Sequence, residues 1–129
     1  MGLDMTFYKL HKKHSINKCF KKGAEVAYFR KANQIQNWLS HNMKDYQDNG
    51  EGIITHDEIN DLIFRCEDVL AKRDTKYSKN HLPTTCGFFF GSTDYDEWYY
   101  SDVESAVEQF KEIIDNWNDN YVIVYSESY

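Results

Sequence analysis

A regular apolar stripe behind a helix-capping signal constrains the fold of this 129-residue chain most. Thr55-His56-Asp57-Glu58 fits a capping box, in which the hydroxyl of Thr55 accepts a hydrogen bond from the amide of Glu58 and the carboxylate of Glu58 accepts one from the amide of Thr55. A helix with one apolar face must bury that face against another layer, so the sequence predicts a layered domain. The apolar positions recur with a period close to 3.6 at Ile59, Leu62, Ile63, Cys66, Val69 and Leu70.

Two further stretches of the chain predict helices. Ile35, Trp38, Leu39 and Met43 lie at helical spacing, so we expect a helix from about residue 32 to residue 44. Ser101-Asp102-Val103-Glu104 fits a second capping box, so Ser101 is predicted to open a last helix that ends at residues 118–120. The apolar face of this last helix consists of Val103, Ala106, Val107, Phe110, Ile113, Ile114 and Trp117.

The segments between these helices predict strands, because they are short and rich in β-branched and aromatic residues. We expect strands at residues 3–10, 25–29, 52–54, 86–90 and 121–125, the fourth of them buried. Residues 11–22 are predicted to form a basic loop, and residues 72–80 a polar and mobile connection. The prediction is therefore an α+β fold in a single domain over residues 1–129. It has a small sheet of about four or five mostly antiparallel strands, packed with about three helices.

Charge is unevenly distributed along the chain. The net charge is −6, but residues 1–44 carry nine Lys and Arg against two Asp and Glu, and residues 45–129 carry six against nineteen. We expect the two halves to pair with each other inside one fold. The basic residues 9–22 lie beside Tyr8 and Phe20, a composition typical of a nucleic-acid contact. The overall acidity opposes such a contact, so nucleic acid is not an expected partner.

The cysteines and the hydropathy of the chain bear on its location. Cys19, Cys66 and Cys86 are odd in number and far apart, which favours a reducing compartment over a disulfide framework. We interpret Cys66 and Cys86 as core residues. The sequence has no apolar run of the roughly 18 residues that a membrane span needs and no signal peptide. We therefore expect a cytoplasmic protein without a membrane partner.

The polar loop that follows the predicted strand at residues 86–90 is the candidate site. A strand, a polar loop and a helix in succession are a favoured arrangement for binding, because rigid elements position the loop. Positive charge to complement the loop is expected from the start of the first helix, where Arg30, Lys31 and Asn33 lie beside Gln36. That pairing requires the helix to lie near the loop. The loop contributes Ser92, Thr93, Asp94, Tyr95, Asp96 and Glu97.

Two metal sites are weighed against structural alternatives. The carboxylates of Asp94, Asp96 and Glu97 could bind magnesium in a hydrolase, or they could simply favour the N-terminal end of the next helix. The segment from Gln47 to Glu58 resembles a twelve-residue calcium loop, but Gln47 replaces the usual first Asp. We favour a short strand leading into the capped helix there. No metal ligand, catalytic residue or cofactor is assigned.

Three segments carry a resemblance to a known family. They are Met1-Gly2-Leu3-Asp4-Met5, Tyr28-Phe29-Arg30-Lys31-Ala32-Asn33-Gln34-Ile35 before Trp38, and residues 82–100 with the block Gly-Phe-Phe-Phe-Gly-Ser-Thr-Asp-Tyr-Asp-Glu-Trp-Tyr. On these residues the chain resembles a family of small uncharacterised proteins encoded in phages and prophages of bacteria. Gln36 departs from the pattern, because a histidine is expected there in such relatives. The resemblance brings no activity with it.

The resemblance implies a phage accessory protein in a bacterial host cell, and such proteins often counter host defence. The first hypothesis is a non-catalytic protein that binds a nucleotide-like ligand, with aromatic rings stacking the base and Arg30 or Lys31 neutralising the phosphate. A second is an inhibitor that contacts a host enzyme through an acidic face at residues 94–119. A third is the metal-dependent hydrolase that uses Asp94, Asp96 and Glu97. A homo-oligomer stays open.

Overall fold

The fold is a four-stranded antiparallel sheet with helices on it, described by a computed structural model for residues 2–15, 23–87 and 90–129. The described strands are β1 (Asp4–His11), β2 (Ala24–Arg30), β3 (Glu51–Ile54) and β4 (Tyr121–Ser128), in the order β2-β1-β4-β3. β1 pairs with β4 along its whole length, from Asp4 opposite Ser128 to His11 opposite Tyr121. The basic and acidic halves of the chain therefore share one sheet, and the predicted α+β class is confirmed.

The described helices are α1 (Lys12–Ser15), α2 (Asn33–Asn42), α3 (His56–Lys72), α4 (Thr75–His81) and α5 (Glu97–Asp115). The capping box before α3 is confirmed, because the side chain of Thr55 accepts from the amide of Glu58 and the carboxylate of Glu58 accepts from the amide of Thr55. The stripe of α3 faces inward as predicted, with Leu62 and Cys66 fully buried. β3 and the capped helix thus occupy the segment that resembles a calcium loop.

The hydrophobic core lies between one face of the sheet and the helices. Phe7 of β1 stacks edge-on against Phe110 of α5, with 5.1 Å between ring centroids, and contacts Tyr125 of β4 at 5.0 Å. Tyr125 is fully buried, and Phe29 of β2 joins the same cluster. The last helix and three of the four strands are therefore held together by one group of rings.

Three local predictions are wrong. In the predicted strand at residues 86–90, the described residues Cys86, Gly87 and Phe90 belong to no strand, and Cys86 is exposed rather than in the core. Residues 88–89, and Cys19 with the rest of residues 16–22, lie outside the described residues. Residues 12–15 form the helical turn α1 where a loop was expected.

Two further predictions, both of which concern helices, are also wrong. α5 begins at Glu97, four residues before Ser101, because Asp96 caps it by accepting a hydrogen bond from the amide of Tyr99. The segment predicted to be a mobile connection at residues 72–80 forms the end of α3 and most of α4, which Asp74 caps through the amide of Tyr77. No helix among the described residues is long and apolar enough to span a membrane.

Candidate functional site

The first turn of α2 carries three buried amide side chains, and two of them, those of Asn33 and Gln34, hold the candidate site together. Asn33 is 1% exposed, and its Nδ2 donates to the carbonyls of Phe90 and Ser92 at 3.0 and 2.8 Å. Its Oδ1 accepts from the amide of Thr85 at 3.0 Å, so one side chain ties both ends of the loop to the helix. Gln34 donates to the carbonyl of Tyr99 at the start of α5. The helix predicted at residues 32–44, which is α2, therefore lies near the loop, as the expected pairing requires.

These contacts leave a cavity of about 260 Å³ between the end of β2 and the start of α5, which we call the corner cleft. The cleft brings cationic, anionic, aromatic and neutral polar side chains around one space. It lies among loops and helix ends that side-chain hydrogen bonds fix in place, as is usual for binding sites. Its lining consists of Arg30, Lys31, Gln34, Thr84, Gly91, Ser92, Asp94, Asp96, Trp98, Tyr99 and Asp102.

Lys31 lines the cleft and has an unusual backbone conformation. Its φ of +57° lies in the left-handed region, which costs a residue other than glycine about 1 kcal/mol or more. Its amide donates to the carbonyl of Leu3 at 2.7 Å, and its carbonyl accepts from the amide of Asn33 at 2.9 Å. Gly91, at φ +90°, passes so close that an added Cβ would lie 3.0 Å from the Cβ of Lys31. The corner is therefore strained and tightly enclosed.

Arg30 reaches the same cleft from the last position of β2. One of its guanidinium nitrogens lies 3.2 Å from Asp4 in an ion pair whose side chains are 51% and 37% exposed. Such an exposed pair contributes little to stability. Asp4 of β1 therefore orients the guanidinium of Arg30, which stays exposed to solvent.

The cleft is also lined by carboxylates from the loop and from α5. Asp94 and Asp96 line the cleft, and Asp102 follows one and a half turns into α5. Burial, with the nearby negative charge of Asp96, raises the pKa of Asp102 to about 6. A carboxyl group whose pKa is shifted toward neutrality inside a cavity is a feature of functional sites.

The nine predicted site residues do not all face the cleft. Arg30, Lys31, Ser92, Asp94 and Asp96 line it, whereas Asn33 lies behind it as the clamp on the loop. Thr93, Tyr95 and Glu97 are not among the lining residues. The carbonyl of Thr93 and the hydroxyl of Tyr95 accept hydrogen bonds from Thr84, and Glu97 is the exposed first residue of α5.

Sequence reasoning missed six lining residues, namely Gln34, Thr84, Gly91, Trp98, Tyr99 and Asp102. Gln34 and Thr84 give no signal of their own, because only the folded chain brings them to the loop. Trp98 is 72% exposed, and its place directly after the acidic residues Asp96 and Glu97 was a readable signal. Asp102 was read as part of a capping box that the structure does not contain.

The metal hypotheses receive no support from these residues. Among the described residues, no group of three or more His, Cys, Asp or Glu side chains is arranged to hold a metal ion. In the segment that resembles a calcium loop, Glu58 accepts from the amides of Thr55 and Lys44 at 2.9 and 2.8 Å. The carboxylate that the calcium pattern requires as a bidentate ligand therefore caps α3 instead.

A second and larger cavity, of about 360 Å³, lies at the other end of α5. Trp117, Tyr121 and Ile123 form its apolar part, and Lys9 lies 4.8 Å above the ring of Tyr121. It adjoins β1 and β2, away from the loop of residues 91–96. None of the predicted site residues lines it.

Comparisons with known proteins add no further guide. No family model, curated protein or solved structure matches this chain. Function is accordingly argued from the geometry of the cleft.

Proposed function

We propose that the corner cleft binds a nucleotide-like ligand. The observation that carries this proposal is that charges of both signs line one cavity, namely Arg30 and Lys31 together with Asp94, Asp96 and Asp102. A nucleotide has the complementary division, because its phosphate is anionic while its sugar and base carry hydroxyl and amino donors. The cations take the phosphate, and the carboxylates accept from the donors.

The aromatic and neutral lining supports the same ligand. The ring of Trp98 is exposed at the mouth of the cleft, where a flat base can stack on it. The hydroxyls of Thr84 and Ser92 offer further hydrogen bonds. At about 260 Å³ the cavity lies just below the roughly 300–1,000 Å³ of typical small-molecule sites. This size favours a single nucleotide unit, with the base partly outside.

The phage accessory role is part of this proposal and rests on the resemblance. The three segments that carry the resemblance meet around the corner cleft. The amide of Lys31 donates to the carbonyl of Leu3, Asn33 binds the loop of residues 85–92, and Gln34 binds Tyr99. A protein that captures a nucleotide signal needs no catalytic group, so we propose capture rather than turnover.

Calorimetry and thermal shift measurements with nucleoside monophosphates, cyclic dinucleotides and inorganic phosphate test the proposal. We expect at least one nucleotide to raise the Tm. Lys31→Gln should weaken its binding about tenfold or more, because a charge-assisted hydrogen bond is lost while the left-handed backbone preference is unchanged. Trp98→Ala should weaken nucleotides by about fivefold or more and leave inorganic phosphate unaffected.

Lys79→Gln, an exposed change of the same kind on α4, is the matched control and should bind as the natural chain does. The proposal fails if no nucleotide shifts the Tm. It also fails if Lys31→Gln and Lys79→Gln bind equally well.

A contact with a basic host protein is the second candidate. Its supporting observation is Phe64, which is 71% exposed on α3 between the exposed carboxylates of Asp61 and Glu67. The neighbouring α5 exposes Glu104 and Glu108. Glu67 and Glu104 form exposed ion pairs with Lys111 and Arg73, so Asp61 and Glu108 are the carboxylates that would meet a cationic partner beside this apolar residue. Capture from host lysate that falls steeply with salt, is lost in Phe64→Ser and persists in Lys31→Gln would favour this candidate over the first.

A further inference from the structure

A third cavity lies beside the end of β4 and is separate from the corner cleft. It measures about 240 Å³, and we call it the tyrosine pocket. Its turn is shaped by Gly50 at φ +75°, where an added Cβ would lie 2.5 Å from the Cγ of Glu127. Only glycine allows the turn to lie this close to the carboxylate. The lining consists of Tyr46, Asp48, Asn49, Gly50, Glu127, Ser128 and Tyr129.

Glu127 is the unusual member of this lining, because it is 7% exposed and faces only neutral hydrogen-bond donors. Its Oε1 accepts from the hydroxyl of Tyr125 at 2.8 Å, and Nε2 of Gln36 lies 3.3 Å from its Oε2. Within the part of the chain that the structure describes, no Lys, Arg or His forms an ion pair with it. Burying a carboxylate without a cation is costly, so the site favours an added positive charge.

We infer that the tyrosine pocket binds a small organic cation whose ammonium group meets Glu127. Asp48, exposed at the same cavity, adds a second negative charge. Tyr46 and Tyr129 supply aromatic rings, whose faces attract cations. Tyr46 packs parallel to Tyr125 with 6.5 Å between centroids, and Tyr129 packs against Phe90 at 4.9 Å. Tyr46 is half-buried and its hydroxyl accepts a hydrogen bond from Gln36, whereas Tyr129 is 66% exposed, so Tyr46 is the more firmly held of the two rings.

The same lining opposes other classes of ligand. An anion would face Glu127 and Asp48 with no cation among the lining residues to offset them. A calcium ion needs about six to eight oxygen ligands, whereas only two of the seven lining residues carry a side-chain carboxylate and two are aromatic. The combination of a buried carboxylate with tyrosine rings is the recognition chemistry of ammonium groups.

The probes for this inference are n-butylammonium, 1,4-diaminobutane, tetramethylammonium and the neutral 1,4-butanediol, added to the full chain and followed by calorimetry. We expect one or more cations to bind and the diol not to bind. Glu127→Gln, which keeps the shape and one oxygen that accepts from the hydroxyl of Tyr125, should weaken cation binding about tenfold or more. Asp48→Asn should weaken it less, because that carboxylate is exposed.

The matched control is Glu108→Gln on the exposed face of α5, which should bind as the natural chain does. Tyr46→Leu separates the two kinds of cation, because it should weaken tetramethylammonium more than n-butylammonium. Circular dichroism of each variant verifies that it folds. The inference is overturned if no cation binds at millimolar concentration, if the diol binds equally well, or if Glu127→Gln binds as tightly as Glu108→Gln.

Discussion

The corner cleft and the tyrosine pocket both border on the first turn of α2, but they treat charge differently. Asn33 and Gln34 point to the segments that form the corner cleft, and Gln36 points to Glu127 in the tyrosine pocket. The corner cleft contains charges of both signs, several of them exposed to solvent. The tyrosine pocket contains one sign, and its principal carboxylate is buried.

This difference separates binding from stability. Exposed charges are solvated whether or not a ligand is present, so their removal should change affinity and leave the free energy of unfolding nearly unchanged. A buried carboxylate lacks that solvation, so the groups around it should matter for stability even without a ligand. The side-chain amides of α2 are buried at both sites, so they should also matter for stability without a ligand. Substitutions in α2 and at the cleft surface therefore test whether the two sites differ in this way.

The largest effect is expected for Asn33→Ala. The change leaves the amide of Thr85 and two carbonyls without their buried partner, which should lower the free energy of unfolding by about 3 kcal/mol. Chemical denaturation measures this loss. Asn37→Ala on the same helix removes one exposed hydrogen bond, to the carbonyl of Pro83, and should cost about 0.5 kcal/mol. Equal losses in the two variants would contradict the clamp.

A smaller loss, of about 2 kcal/mol, is expected for Gln36→Leu, because it removes the amide donor facing the buried Glu127. Adding Glu127→Gln removes the charge that the leucine leaves unsupported. The double variant should therefore be more stable than Gln36→Leu alone, and denaturation of all four chains in a double-mutant cycle measures the coupling. Strictly additive effects would show that Gln36 does not stabilise the carboxylate.

The sequence could predict the elements whose signals are local. α3 combines a capping box with an apolar stripe at Ile59, Leu62 and Cys66, and both its start and its buried face were predicted correctly. The strands β1, β2 and β4 alternate or are β-rich over enough residues to be recognised. Such signals depend only on residues a few positions apart.

The segment of residues 84–96 could not be predicted in the same way. Its run of apolar residues has the composition of a strand. Three of its backbone groups, however, form hydrogen bonds with the side chain of Asn33, which lies 52 to 59 residues away in the sequence. No local pattern reports a partner at that distance. The residue types of the site were predictable from the polar loop, whereas the lining of the cleft depends on this long-range clamp.

The helices α4 and α5 show how weak local signals were misjudged. α4 buries only Ser78, whose hydroxyl lies 2.8 Å from that of Tyr100, so the helix has no apolar stripe to detect. At α5 the capping-box pattern predicts a start at Ser101, whereas Asp96 is the cap in the structure. The buried Tyr99 continues the spacing of Val103, and this was the readable signal for the earlier start.

At the corner cleft, Lys31→Gly should stabilise the chain and weaken its ligand at once. Glycine adopts φ of +57° without the steric penalty, so the free energy of unfolding should rise by about 1 kcal/mol. Loss of the cation should weaken nucleotide binding as Lys31→Gln does. Lys31→Gln is the control, because it loses the charge but keeps the strain, and it should show no gain in stability. A destabilised Lys31→Gly would mean that packing against Gly2 and Gly91 outweighs the strain.

The smallest effect should come from Asp102, and it depends on pH. Its pKa is about 6 in the folded chain and 3.8 in the reference state, so folding favours the protonated form. The contribution of Asp102 to stability is therefore greatest below about pH 4 and is lost as the pH rises through about 6, by about 1 kcal/mol once solvent screening is discounted. Asp102→Asn should remove this decline in denaturation curves between pH 4 and 7, while Glu108→Gln on the same helix should keep it. If the stability of Asp102→Asn declined with pH as that of the natural chain does, the titrating group would be another residue. The pKa of Asp102 would then not be raised by the cleft.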